Sequence, residues 1–206
     1  MNKPDIEYIR AFLATVEGEQ ATRGYIPCFL KGGGSANFTG SGDPGRYIAM
    51  GQSGITIATG CDLGQTDRAT LTAYGLDPAI TALLSPCFGL RKDKAIAWLA
   101  RYPLSITRAQ AQALDDAVHD GYLRRYVIPA WEKASGKSFA DQPRQAQAVI
   151  MSLCFQKGCA GVRRDWPITW KHLVACNWKA AARELVTGFR QYAGRRRKEG
   201  KLLEEI

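Results

Sequence analysis

Glu17 is the acidic residue whose setting best suits proton transfer. It closes an apolar helical periodicity of Ile6, Ile9, Leu13 and Val16, and Gly18 follows it. A carboxylate at a helix C-terminus faces the negative end of the macrodipole. Apolar neighbours such as Val16 take water from it, and both effects disfavour the ionised form. A carboxylic acid kept protonated near neutrality is what the general acid of glycoside cleavage requires. A plain surface glutamate at a helix end gives the same local pattern. The second group lies in residues 53–65, SGITIATGCDLGQ, where Thr56 and Asp62 stand six apart on a Gly-rich β segment. Gly54 and Gly60 leave room for a ligand against the backbone. The bland alternative is a β-branched strand residue and a turn residue beside Gly64.

Other patterns carry less chemistry. Gly40, Gly42 and Gly45 match GxGxxG, but a Gly-rich loop precedes them and Pro44 interrupts them, whereas a dinucleotide site needs a strand before and a helix after. Cys154 and Cys159 are spaced C-x4-C with no second pair, and His119 and His172 stand apart, so the three or four convergent ligands of a metal site are not indicated. Cys61 with His172 could make a nucleophile pair for a cell-wall amidase or peptidase, with nothing local to support it. The run Arg195, Arg196, Arg197, Lys198 and Lys201 reads as a solvated helix face or a polyanion contact. Only Tyr192 is nearby, which argues against nucleic-acid readout.

These groups need elements to hold them. The chain has 206 residues, 46% hydrophobic and 23% charged, which suits one globular domain of two lobes and excludes disorder and coiled coil. No apolar run reaches the length of a membrane span, and the N-terminus has no secretory pattern. The net charge of +9 favours a polyanionic partner such as nucleic acid, membrane or cell wall. Six cysteines leave disulfides open, although Cys154 and Cys176 sit in apolar helical patterns. The periodicity predicts a helix over 4–17, an edge or irregular strand over 24–30 because of Pro27, and a loop over 31–46. One or two short antiparallel strands follow over 47–60, and helices from 67 on, including 107–128 (with Pro129 just after it), 143–156, 167–176, 178–187 and 194–204. The expected fold is α+β: a small antiparallel β lobe over about 18–66 and a helical lobe over about 67–206 that takes in helix 4–17.

Glu17-Gly18, then GYIP at 24–27, then SGITIATGCDLGQ resemble the N-terminal lobe of the pesticin-like muramidases, relatives of the phage-type lysozymes. Their pattern is a helix ending in Glu-Gly, a GYVP-like strand and an SGVTIGTGFDLGQ-like strand. ITRAQAQAL at 106–114, IMSLCFQKG at 150–158, NWKAAARELV at 177–186 and GRRRKEGKL at 194–202 resemble successive helices of the second lobe, so the resemblance covers nearly the whole chain. It implies a lysozyme-like α+β fold and a bacteriolytic muramidase that cleaves the β-1,4 bond between N-acetylmuramic acid and N-acetylglucosamine. Carried over, Glu17 is the general acid, Asp62 the second carboxylate, and Thr56 a holder of the attacking water in an inverting reaction. Gln156 would line the cleft, and Arg195 or Arg196 would approach Glu17. The interval from Glu17 to Gly24 exceeds the family's, which keeps Glu19 as a rival acid. No metal or organic cofactor is implied. The expected partner is peptidoglycan, with an immunity protein if a producer uses the chain as a toxin, and without nucleic acid or stable membrane insertion. A monomer is expected, made in the cytoplasm and acting in the periplasm or on the wall after delivery or lysis. The alternatives are a non-catalytic lysozyme-fold module binding glycan or protein, and the Cys–His amidase.

Overall fold

In the computed structural model, which describes residues 4–206, the β-branched stretch forms an antiparallel sheet. Its strands are β1 (Ala21–Leu30), β2 (Ser35–Phe38), β3 (Tyr47–Ala49), β4 (Thr56–Ala58) and β5 (Cys61–Asp62). The order is β2-β1-β4-β5, with β3 also paired to β1. In β1 the alternation is clear: Gly24, Ile26 and Cys28 are buried, and Tyr25 and Pro27 between them are less so. Four helices complete this unit: α2 (Arg68–Ala73), α3 (Pro78–Leu84), α4 (Lys92–Arg101) and α5 (Arg108–Tyr122). Asp67 and Asp77 cap α2 and α3 by accepting backbone N–H bonds. Ile26, Phe38, Ile55, Ile57 and Leu63 share one core with Leu71, Leu84, Leu99 and Leu114.

The sequence reading differs from this unit in three places. Residues 17–121 cluster as one unit, so the boundary falls after α5 rather than near residue 66, because α2–α5 bury their apolar faces in the sheet's core. The 31–46 loop contains a strand: Gly33 and Gly34, both at positive φ, turn the chain back so that β2 pairs with β1. β1 is central rather than an edge. Pro27 is tolerated inside it because its missing N–H falls where β1 passes from pairing with β4, last at Tyr25, to pairing with β3, first at Cys28.

The second unit comprises residues 4–16 and 122–206. It contains α1 (Ile6–Val16), α6 (Ile128–Ser135), α7 (Arg144–Lys157), α8 (Cys159–Asp165), α9 (Pro167–Val174), α10 (Trp178–Thr187) and α11 (Ala193–Glu204). Every residue of α7 from Ala146 to Cys154 is buried, which makes it the unit's central helix. Around it pack Ile9, Leu13, Trp131, Phe139, Leu173, Leu185 and Leu203. The expected helix over 107–128 stops at Tyr122, and a π-helical turn over Leu123–Val127 leads into α6. Pro129 therefore opens a helix instead of following one, since a proline in a first turn sacrifices no hydrogen bond. All six cysteines are free thiols.

Candidate functional site

Glu17 directly follows the last residue of α1, and Gly18 adopts φ +93°, a conformation that suits glycine and turns the chain towards β1. The start of β1 is pinned from the other side: Gly24 N–H donates to the Leu104 carbonyl (2.9 Å) and Ile106 N–H to the Thr22 carbonyl (2.9 Å). A depression of about 560 Å³ opens beside this segment, lined by Glu17, Glu19, Arg23, Tyr25, Asn37 and Thr39 among others. Its lining is largely polar. Glu17 is half-buried there and Glu19 is exposed, which favours Glu17 as the acid.

The sheet register brings the other groups into one row. Tyr25 on β1 faces Thr56 on β4, and Thr56 faces Asp62 on β5. Directly opposed residues of antiparallel strands project from the same face, so Tyr25, Thr56 and Asp62 lie side by side. Tyr25 also lines the depression with Glu17 and so joins the two sets. Burial raises its phenol above the usual value, and the charges of Asp62 and Glu17 raise it further. It is therefore a neutral donor next to both carboxylates. Sequence reasoning treated Tyr25 only as a letter of the GYIP motif; the signal that could have found it is the strand pairing.

Thr56 is 5% exposed. Asp62 is held by backbone. Its Oδ1 accepts from Gly54 N–H (3.1 Å) and Gly64 N–H (2.8 Å), and its Oδ2 from Gly54 N–H (3.2 Å). Burial pushes its carboxyl above the ordinary range, against the opposing pull of these N–H groups and of Arg91. The turn role weighed for Asp62 is real, and it leaves Oδ2 the less occupied oxygen.

Gln156, Arg195 and Arg196 belong to the other unit. Gln156 sits near the end of α7, where its Oε1 accepts from Arg196 Nη2. Arg195 and Arg196 lie on α11 and share Glu199: Arg195 Nε is 3.2 Å and Arg196 Nε 2.8 Å from its carboxylate. Ser152 Oγ donates to Glu199 (2.6 Å), and Arg195 Nη2 donates to the Ser152 carbonyl (2.9 Å). Arg196 and Glu199 are fully buried, with the guanidinium 4.8 Å over the Trp166 ring. This corrects the reading of the basic run as a solvated face for Arg195 and Arg196, while Arg197, Lys198 and Lys201 are exposed. A buried guanidinium needs a carboxylate partner, and Glu199 at i+3 supplies it.

The cysteine alternative loses its nucleophile. Cys61 is buried, and desolvation first, then Asp115 and Asp62, push its thiol up to about 12. A thiol so raised is not the thiolate that an amidase or peptidase needs. Among the described residues no group of three His, Cys, Asp or Glu side chains is arranged to hold a metal ion.

The comparisons with known proteins bear on the same residues. None of the curated proteins compared matches the chain. A family model described as pesticin, a bacterial toxin homologue of phage lysozyme, C-terminal part, matches residues 8–179. The matched span contains Glu17, Tyr25, Thr56, Asp62 and Gln156 and most of both units. The α+β architecture, a small antiparallel sheet with a majority of helix, agrees with that family. The chain belongs to the pesticin family of bacterial toxins homologous to phage lysozyme.

Proposed function

We propose that the chain is an N-acetylmuramidase that hydrolyses the β-1,4 bond between N-acetylmuramic acid and N-acetylglucosamine in peptidoglycan. The observation that carries this reading is the row of Tyr25, Thr56 and Asp62 on one sheet face, joined through Tyr25 to the depression that holds Glu17. Glu17 donates its proton to the glycosidic oxygen as the bond to C1 breaks. The Thr56 hydroxyl holds a water against the opposite face of the ring, and Asp62 Oδ2 draws its proton while the fixed charge stabilises the oxocarbenium-like transition state. Water attacking opposite the leaving group inverts the anomeric centre, so the first-formed reducing end is the α-anomer.

The test is digestion of purified cell walls, followed by turbidity and by mass spectrometry of the fragments. New reducing ends at muramic acid are expected. Cleaved stem peptides, or tight binding without fragments, would replace this reading with a peptidase or a binding module. Glu17→Gln should keep the fold and lose at least about 100-fold of the activity, as removal of a general acid typically does, whereas Glu19→Gln should be mild. If Glu19→Gln is the dead variant, the acid is Glu19.

A further inference from the structure

We propose that Asp115 is a positioning residue: from one buried point on α5 its carboxylate ties together the segment that follows Glu17 and the turn between Thr56 and Asp62. This role rests on the muramidase reading of the site. Asp115 Oδ1 accepts from Thr59 N–H (2.9 Å), and Oδ2 accepts from Thr59 Oγ (2.6 Å) and from Gln20 Nε2 (2.8 Å). All three partners are donors, as a carboxylate requires. Thr59 lies in the turn between β4 and β5, and Gln20 is the residue just before β1.

The position is not one that core packing would assign to an acid. Asp115 is 5% exposed on a helix face that also buries Ala111 and Leu114. A carboxylate removed from water is costly unless its oxygens are fully bonded, and here the bonds run to the two segments that carry the site. Those segments meet at the end of a ladder: Ala21 and Ala58 are the terminal pair of β1 and β4, and Gln20 and Thr59 are their neighbours. The turn also stores strain, because Ala58 holds φ +52° without being glycine. Asp115 closes this ladder end and prevents the turn from relaxing. Thr56 thereby stays in register with Tyr25.

The test compares Asp115→Asn with Leu185→Ala, a core truncation in the other unit, at a temperature well below both melting transitions. Asparagine keeps the size but turns one acceptor into a donor that faces the Thr59 hydroxyl and the Gln20 amide. A misplacement of about 1 Å costs about 100-fold in turnover, so Asp115→Asn should lower kcat on walls by about 10- to 100-fold with KM within about threefold. Leu185→Ala should keep its kcat. Thr59→Val, which removes one donor, should fall in the same direction by less. Amide exchange at residues 58–60 in Asp115→Asn should accelerate relative to the rest of residues 17–121. If Asp115→Asn loses thermal stability but keeps kcat, as the control does, the positioning role is wrong. If the unaltered protein is inert on walls, the muramidase reading falls by itself. Exchange unchanged at residues 58–60 would then refute the tie independently, and faster exchange there would uphold it.

Discussion

Asp62 combines two demands that pull against each other. In the proposed reaction its carboxylate has to stay charged to serve a developing cation, yet burial raises its pKa. The Gly54 and Gly64 amides resolve the conflict by fixing the charge with N–H dipoles instead of a neutralising cation. Asp62→Asn should therefore reduce turnover strongly. It should also cost about 1 kcal/mol of stability, since one of these part-buried N–H groups loses a charged acceptor; denaturant unfolding and wall digestion measure the two effects. The pH dependence has a definite sign. A carboxyl that titrates higher in the folded protein than in the unfolded chain makes the native state bind more protons between the two values. Asp62 thus costs stability at neutral pH, and that cost disappears as pH falls through its folded pKa. The stability advantage of the unaltered protein over Asp62→Asn should widen from about pH 7 to about pH 4. A gap that narrows would mean that the amides outweigh the desolvation. As candidates, Glu17, Thr56 and Asp62 could be picked from the sequence because short motifs carry them. Tyr25 was not, because a cross-strand neighbour follows from register, and register is decided by long-range pairing.

The β4–β5 hairpin and the crossing beside it set the geometry that these side chains inherit. Gly54 and Gly64 pass so close that a Cβ on Gly64 would lie 2.8 Å from Gly54 Cα and 2.5 Å from the Leu90 carbonyl oxygen. Backbone on both sides leaves a methyl nowhere to go. Gly64→Ala should push the two segments apart, open the Asp62 cradle, and cost about 1–3 kcal/mol as overpacking does. Wall hydrolysis should fall with it, by more than the fraction unfolded explains; thermal melts and digestion of the same sample check this. An unaltered melting temperature would show that the Leu90 segment yields. β3 and β4 were readable from their β-branched residues, β1 from its apolar run, and α7 and α10 from their apolar spacing, whereas β2 lay hidden in a Gly- and Ser-rich stretch that reads as loop. Pro27 and Pro129 misled for a shared reason. A proline reports a missing N–H, while its place in a strand or helix depends on whether a partner needed that N–H. For Pro27 the answer lies in the change of partner strand, and for Pro129 in the π-turn before α6.

At the largest scale, with a cell wall as the proposed substrate, charge rather than packing governs the encounter. The net charge is +9. Part of the most basic run is internal, where Arg196 and Glu199 neutralise each other at 0% exposure. Because that pair cancels, its burial leaves the whole excess to Lys and Arg side chains elsewhere. The same pair illustrates what hydropathy patterns miss, since GRRRKEGK reads as a wet surface unless the third dimension supplies Trp166 and Ser152 around it. An anionic wall attracts such a protein over about a Debye length, which is about 8 Å at physiological ionic strength. Attraction of this kind raises the rate of encounter without altering the bond-breaking step. Hydrolysis of intact walls should therefore decline as sodium chloride rises from about 0.01 M, where the screening length is about 30 Å, to about 1 M, where it is about 3 Å. The decline should appear in KM, with kcat little changed, because the Tyr25–Thr56–Asp62 row is held by strand pairing and by the Gly54 and Gly64 amides on Asp62, which bulk salt screens weakly. Short uncharged glycan fragments should show no such decline. A profile on intact walls as flat as that on the fragments would remove electrostatic recruitment from the account and leave the excess positive charge without a part in wall binding.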